Sequence, residues 1–189
     1  MKTLVGLSYR TRIHRSAGAA AGLFAGALLL ASAPVLAQGG GPNDAQIAHI
    51  VVTANQVDID AGKLAESKGS NKDVKAFGKM MVTDHTGVNK QATALVKKLG
   101  VKPEDNPTSQ SLKTGGEENV KNLKGLKGAA FDKAYIQHEV AYHQQVLDAL
   151  DKTLIPGAKN AELKDLLTKT RPAFVAHLDH AKEIESKLK

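Results

Sequence analysis

Four segments of the chain place their apolar residues at alternating spacings of three and four, the pattern that lays one apolar stripe along an α-helix. They cover about residues 44–69, 72–99, 129–154 and 163–188. No segment alternates with the period of two that a half-buried β-strand shows. Asp44 is the expected N-cap of the first helix, and the sequence predicts an all-α fold.

The connections between the segments define the expected topology. Short breaks around residues 69–71 and 155–157 predict that each pair of helices forms an antiparallel hairpin. Residues 101–128 hold two prolines and four glycines, which favours a long crossover with one short helix around residues 117–126. The fold class predicted for residues 44–189 is therefore a ferritin-like four-helix bundle. Pro172 is expected to kink or restart the last helix.

The N-terminal stretch has the composition of a secretory signal peptide. Three arginines precede an apolar run over residues 17–33, and residues 35–37 (Val-Leu-Ala) supply a cleavage site. Pro34 and a run shorter than the roughly 20 residues of a membrane span favour cleavage over an uncleaved anchor. We predict a signal peptide over residues 1–37, a flexible segment over 38–43, and a periplasmic or secreted protein. The chain has no Cys, so neither a lipoprotein anchor nor a disulfide is expected.

The charge of the chain is concentrated in this leader. Residues 1–37 hold four of the 26 basic residues and no acidic residue, which leaves 22 basic against 19 acidic residues and a net charge of +3. Four lysines of the crossover have no aromatic neighbour that could stack on a base. Nucleic-acid binding is therefore not expected, and the remaining length suits one domain.

Each predicted helix carries one side chain that could bind a metal near the middle of its apolar stripe. These side chains are Asp58, His85, His143 and His177. Two carboxylates accompany them, because Asp84 is next to His85 and Glu139 comes one turn before His143. No single helix can surround an ion, so the sequence predicts a metal site shared among the four helices.

The depth of these groups along the bundle decides whether they meet. Counted from the two hairpin turns, taken to lie at the same end, His85 and His177 come roughly 8 Å deeper than Asp58 and His143. Boundary shifts of about two to four residues would bring the groups to one level. Otherwise Glu139 lies level with the deeper histidines, and the polar groups form two layers.

The types of ligand narrow the choice of metal. A di-iron site needs a Glu-x-x-His motif on two helices, and no helix of this chain has one. A histidine-rich set suits one zinc, copper or iron ion better. The alternative is that these groups only hydrogen-bond to one another inside the core. His49 and His138 lie at helix edges and are expected to be ordinary boundary residues.

Several short motifs resemble the bacterial exported family called domain of unknown function 4142. The Met-Val-Thr-Asp-His segment at residues 81–85 is the clearest of them. The other pieces are residues 58–65, 74–77, 131–135, 141–144, 171–174 and 177–178. The resemblance implies a ferritin-like bundle, export, and recurring polar positions at Asp58, Asp84, His85, His143 and His177. At position 58 the family usually has Glu, and the family carries no established activity.

Two functions remain open at this stage. One is an exported bundle that binds a metal ion in its core, for storage, buffering or redox protection. The other is a non-catalytic structural or stress-response envelope protein with a hydrogen-bonded polar core. The sequence has no hydrolase triad, phosphate loop or dinucleotide motif, so enzymatic activity is not indicated. No long apolar span follows residue 37, and peripheral association with the envelope is compatible with the sequence.

Overall fold

The computed structural model describes residues 40–188. The predicted signal peptide and the first two residues of the segment after it lie outside the described residues. Residues 40–188 are helical and contain no strand, which confirms the prediction of an all-α helical bundle. The helices are α1 (Asp44–Lys68), α2 (Lys72–Lys98), α3 (Pro107–Gly125), α4 (Gly128–Ala149), α5 (Ile155–Gly157) and α6 (Ala161–Lys187). A π-helical segment, Leu150–Leu154, joins α4 to α5.

The N-cap of α1 lies one residue earlier than predicted. Asn43 is the N-cap, because its side chain accepts the backbone N–H of Gln46 and the Gln46 side chain accepts the backbone N–H of Asn43. Asp44 instead accepts the backbone N–H groups of Lys159 and Asn160, at 2.8 and 2.9 Å. The prediction of Asp44 as the cap is wrong because a tertiary contact with the start of α6 uses its carboxylate.

The two hairpin turns lie at opposite ends of the bundle. Asp132, near the start of α4, accepts the backbone N–H groups of Ser70 and Asn71 in the α1–α2 turn, each at 2.9 Å. The turn before α6 lies at the other end, where Asp44 binds it. The expectation that both turns share one end is therefore wrong. The crossover carries the chain along the whole bundle before α4 begins.

The crossover contains a longer helix than predicted, since α3 has 19 residues. Asn106 caps α3 by accepting the backbone N–H of Ser109, and the Ser109 hydroxyl accepts the backbone N–H of Asn106. Pro107 occupies the first turn, where its missing N–H costs no hydrogen bond. The predicted helix, around residues 117–126, was too short because the glycines lower the helix propensity of this segment.

Helix α3 runs parallel to α1 along its outer side. At one end the Asn106 side chain donates to the Gln46 carbonyl. At the other end the Lys68 ammonium donates to the carbonyl groups of Leu123 and Lys124. Between them Gly116 is buried against Val57, and a Cβ at Gly116 would lie 2.6 Å from that side chain. The glycine that weakens α3 as an isolated helix therefore permits its close packing.

The second hairpin consists of α4 and α6. Helix α4 passes into the π-helical segment Leu150–Leu154, in which the backbone N–H of Ile155 donates to the carbonyl of Leu150. Helix α6 continues through Pro172 as one helix, so Pro172 does not restart it. Helices α2 and α6 are neighbours, as are α1 and α4, and these contacts join the two hairpins.

The apolar core is divided into two clusters. One lies toward the α1 N-terminus and includes Ile47, Leu150 and Leu167. The other lies toward the α1 C-terminus and includes Phe77 and Phe131. The buried polar residues described below occupy the level between the two clusters. Within residues 40–188 no helix combines the length and hydropathy needed to cross a membrane.

Candidate metal centre

Three histidines from three helices meet at the middle of the bundle. His85 of α2, His143 of α4 and His177 of α6 are all buried. Their ring centroids lie 5.7 Å (His85 to His143), 5.3 Å (His85 to His177) and 5.5 Å (His143 to His177) apart. One ring nitrogen from each lies within 4.8 Å of the others, close enough for the three rings to share one metal ion.

The hydrogen bonds of Asn55 define the protonation of His85. The Asn55 amide nitrogen donates to the Val51 carbonyl at 2.9 Å, which turns the amide oxygen toward His85. That oxygen lies 2.7 Å from His85 Nδ1, so Nδ1 carries the proton and donates to it. The lone pair of the neutral ring is therefore on Nε2, which is buried and has no hydrogen-bond partner among residues 40–188.

The other two histidines are held in the same way. His143 Nδ1 lies 3.0 Å from the Glu139 backbone carbonyl and donates to it, which leaves the lone pair on Nε2. His177 Nε2 lies 3.0 Å from Asp84 Oδ2 and donates to it, which leaves the lone pair on Nδ1. Both remaining nitrogens are buried and have no partner in the part of the chain that the structure describes. A fixed partner on the second nitrogen is the arrangement that orients histidine ligands in metal sites.

Burial keeps these imidazoles neutral. Burial, together with the nearby His177, lowers the pKa of His143 to about 4. Burial also lowers the pKa of His85 well below 6.5, as do the neighbouring His143 and His177. For His177, burial lowers the pKa and Asp84 partly offsets the effect. Neutral imidazole is the form that binds a metal ion, so the three rings are already in the protonation state that a metal site requires.

Two carboxyl groups lie on the α1–α4 side of the histidines. Asp58 Oδ2 is 3.5 Å from His85 Nδ1, and Glu139 Oε2 is 3.5 Å from His143 Nδ1. Both side chains are buried, and none of their four oxygens accepts a hydrogen bond from a described group. One oxygen from each, together with a nitrogen of His143, forms a second group within 4.8 Å. The carboxyls therefore extend the cluster toward α1.

The carboxyl pair favours the protonated state. Burial raises the pKa of Glu139 to about 8, and burial followed by the charge of Glu139 raises the pKa of Asp58 well above its usual range. With neutral histidines beside them, these contacts are not ion pairs in the metal-free protein.

Aromatic side chains enclose the histidines. The Phe174 ring centroid lies 5.2 Å from His85, 6.0 Å from His143 and 6.2 Å from His177. Tyr142 meets His143 edge-on at 6.3 Å, and its hydroxyl donates to a backbone carbonyl of α1 at 3.1 Å. These rings exclude water from one side of the cluster, which strengthens electrostatic interactions within it.

The structure brings five of the six predicted site residues together. Asp58, His85, Glu139, His143 and His177 form one continuous cluster, so the alternative of two separate layers does not hold. Whether they bind a metal stays a prediction. The sixth residue lies outside this cluster.

Asp84 lies at the surface, with 44% of its side chain exposed. It contacts the outer nitrogen of His177 and therefore orients a ligand candidate instead of facing the centre. The prediction that His49 and His138 are boundary residues agrees with their intermediate exposure.

Sequence reasoning missed Asn55, which is 1% exposed and orients His85. The sequence does indicate that Asn55 faces the interior, because it comes four residues after Val51 and three before Asp58 on the same helix face. Asn55 is not itself a metal-ligating side chain, because its amide acts through His85.

Replacement of Glu139 by glutamine tests the buried carboxyl. The unfolded chain loses the Glu139 proton near pH 4.5, whereas the folded protein keeps it to about pH 8. The folded state therefore binds more protons between these values, and its stability falls as the pH rises through them. Glu139→Gln removes this dependence, so in the metal-free protein we expect it to raise Tm at pH 8–9 and to change Tm little at pH 5.

Thermal unfolding in the presence of a chelator, followed from pH 5 to pH 9, measures this effect. Glu118→Gln, on the exposed face of α3, is the matched control and is expected to follow the wild type. A Glu139→Gln variant whose Tm falls with pH as steeply as that of the wild type would contradict the prediction.

The fold and the cluster define a class of protein: an all-α bundle with buried histidines and carboxyls at its middle. Residues 30–184 match the family described as Domain of unknown function (DUF4142). The chain therefore belongs to the DUF4142 family, as the motif resemblance implied. Neither a curated protein nor a solved structure matches the chain.

Proposed function

We propose that this protein binds one transition-metal ion, zinc, copper or iron, through His85, His143 and His177. The observation that carries the proposal is the set of three buried ring nitrogens that have lone pairs and no partner. A buried polar atom without a partner costs free energy, and three such atoms directed into one cluster are unusual in a core. One ion bound to all three removes that cost.

The ligand set matches this class of ion. Three neutral imidazoles are a common protein ligand set for zinc and leave a further coordination position open. Two metal–nitrogen bonds of about 2.1 Å span at most about 4.2 Å. One ring nitrogen from each histidine already lies within 4.8 Å of the other two, so a small inward movement of the rings suffices. Ionised Asp58 and Glu139 would balance the positive charge of the ion.

The site of action that we propose is the periplasm or the extracellular space. The support is the signal-peptide composition of residues 1–37. In such a compartment a buried ion would serve storage, buffering or protection from redox chemistry. The N-terminus of protein recovered from the cell envelope tests export. A chain that begins at residue 38 supports it, and an unprocessed cytoplasmic chain contradicts it.

Metal analysis of the untagged protein tests binding. The protein is stripped with a chelator, loaded separately with zinc, copper(II) and iron(II), and freed of unbound metal. We expect one equivalent of at least one metal to be retained. At a free concentration 100-fold above Kd, that metal should stabilise the fold by about 2.7 kcal/mol and raise Tm by roughly 5–10 °C.

No retained metal and an unchanged Tm with all three ions would overturn the proposal. That result would favour the alternative function, in which the polar core serves only to set the helix register of a structural envelope protein.

A further inference from the structure

A cavity of about 300 Å³ lies beside the histidine cluster, and residues of α1, α2, α3, α4, α6 and the π-helical segment line it. Its walls are mainly aliphatic, and no Asp, Glu, Lys, Arg or His is among the described residues that line it. An apolar cavity of about 150 Å³ is large enough to bind benzene, and small-molecule pockets begin near 300 Å³. The volume and the lack of charge therefore suit a small uncharged molecule.

The cavity shares three residues with the surroundings of the cluster. Phe174 lines the cavity, and its ring also contacts the three histidines. Asn55 lines it as well, and it accepts the hydrogen bond from His85. Tyr142 is the third. A molecule in this cavity would therefore be separated from the imidazoles by a single aromatic ring.

The π-helical segment forms part of the cavity wall. Leu150 and Leu154, at its two ends, both line the cavity. A π-helical turn is rare inside α-helices and occurs frequently at functional sites. Here the wider turn lies where α4 would otherwise continue regularly toward α6. This feature is independent of the cavity volume and of the cluster.

We propose that the cavity is a binding site for one uncharged aromatic molecule of about the size of indole or naphthalene. Phe174 and Tyr142, which both line the cavity, favour an aromatic ligand, because aromatic pairs gain energy beyond that of their buried area. The absence of a charged lining side chain excludes a carboxylate or an amine, whose charge would be buried without a partner. The site does not depend on a bound metal ion.

Indole is a suitable probe because the chain contains no Trp. Its fluorescence can be excited where the three tyrosines absorb little, and its emission shifts to shorter wavelength in an apolar site. We expect saturable binding of one indole per chain, with a Kd between about 10 µM and 1 mM for a ligand of this size. Indole-3-carboxylate has the same ring and a negative charge, and we expect it to bind at least tenfold more weakly.

Ala149→Phe tests the location. Ala149 lines the cavity at the end of α4 and is half-buried, so a larger side chain can fill the space without disrupting the core. We expect at least a tenfold loss of indole affinity. Ala141→Phe makes the same change at an exposed position of α4 and is expected to leave the affinity unchanged.

Three results would overturn the proposal: no saturable indole binding to the wild type, equal affinity for the charged analogue, or wild-type affinity in the Ala149→Phe variant. The comparison of indole with its carboxylate uses the wild type alone and holds even where a variant fails to fold. Failure of metal binding leaves these measurements unaffected, so the two proposals are tested separately.

Discussion

His143→Leu is expected to weaken the binding of the metal ion by more than about 100-fold. The substitution removes one of the three unpartnered nitrogens, whereas loss of a group that only orients a ligand costs about 10-fold to 100-fold. Leucine is apolar and fills most of the space left by the ring. The fold should therefore survive, because apolar replacements of buried polar groups are often neutral or stabilising.

Competition with a chelator of known affinity measures the change, and circular dichroism with thermal unfolding verifies the fold. His138→Leu is the matched control, because His138 lies on the same helix, stacks on Tyr142 and is outside the cluster. It should bind the metal as the wild type does. If a folded His143→Leu variant retains one equivalent with unchanged Kd, the histidines are not the ligands.

Gly78→Ala is expected to destabilise the protein by about 3 kcal/mol, the upper part of the range for overpacking a core. Helices α1 and α2 touch at Gly62 and Gly78. A Cβ at Gly78 would lie 2.7 Å from the Gly62 carbonyl oxygen, 2.7 Å from the Ala65 Cβ and 2.9 Å from the Glu66 backbone nitrogen. Two of these atoms belong to the backbone, so the helices must separate to accommodate a methyl group.

The same substitution is expected to disturb the histidine cluster. Gly62 comes seven residues after Asn55 on α1, and Gly78 comes seven residues before His85 on α2. The Gly62–Gly78 contact and the Asn55–His85 hydrogen bond therefore lie along the same interface between the antiparallel helices α1 and α2, two helical turns apart. Separation at the glycines lengthens the 2.7 Å hydrogen bond between Asn55 and His85. We therefore expect metal affinity to fall about 10-fold in Gly78→Ala, as for loss of an orienting partner.

Gly87→Ala is the control for this prediction. Gly87 lies on the same helix, and a Cβ there would meet no atom within 4 Å. Because alanine favours helix more than glycine does, this variant should gain up to about 1 kcal/mol. Unfolding in urea measures both variants. Equal stability of the Gly78→Ala and Gly87→Ala variants would contradict the prediction, because it would show that the close contact of α1 and α2 at Gly78 tolerates a methyl group.

The sequence predicted the helices well because the signals that start and stop them are local. Apolar spacing located α1, α2, α4 and α6, and Gly69 ended α1 as expected. Helix α3 was underestimated, since its glycines lower the helix propensity of an isolated segment. Its stability depends on packing against α1, which no local pattern reveals.

The depth of the candidate ligands could not be predicted from the same information. The count along the helices assumed that both hairpin turns share one end, and the crossover places them at opposite ends. Asp132 contacts Ser70, and from that contact His143 lies eleven residues along α4 while Asp58 lies twelve residues back along α1. Counted from this contact, His143 and Asp58 lie at the same depth in the bundle.

By itself the sequence determined which side chains face the interior, because helical periodicity sets the angular position of each residue on its own helix. That was enough to select Asp58, His85, Glu139, His143 and His177. Only the tertiary structure decided that they meet, that Asp84 stays at the surface, and which ring nitrogens keep free lone pairs. These properties depend on how far one helix slides past another. That displacement is set by contacts between residues far apart in the chain, such as the packing of Gly62 against Gly78.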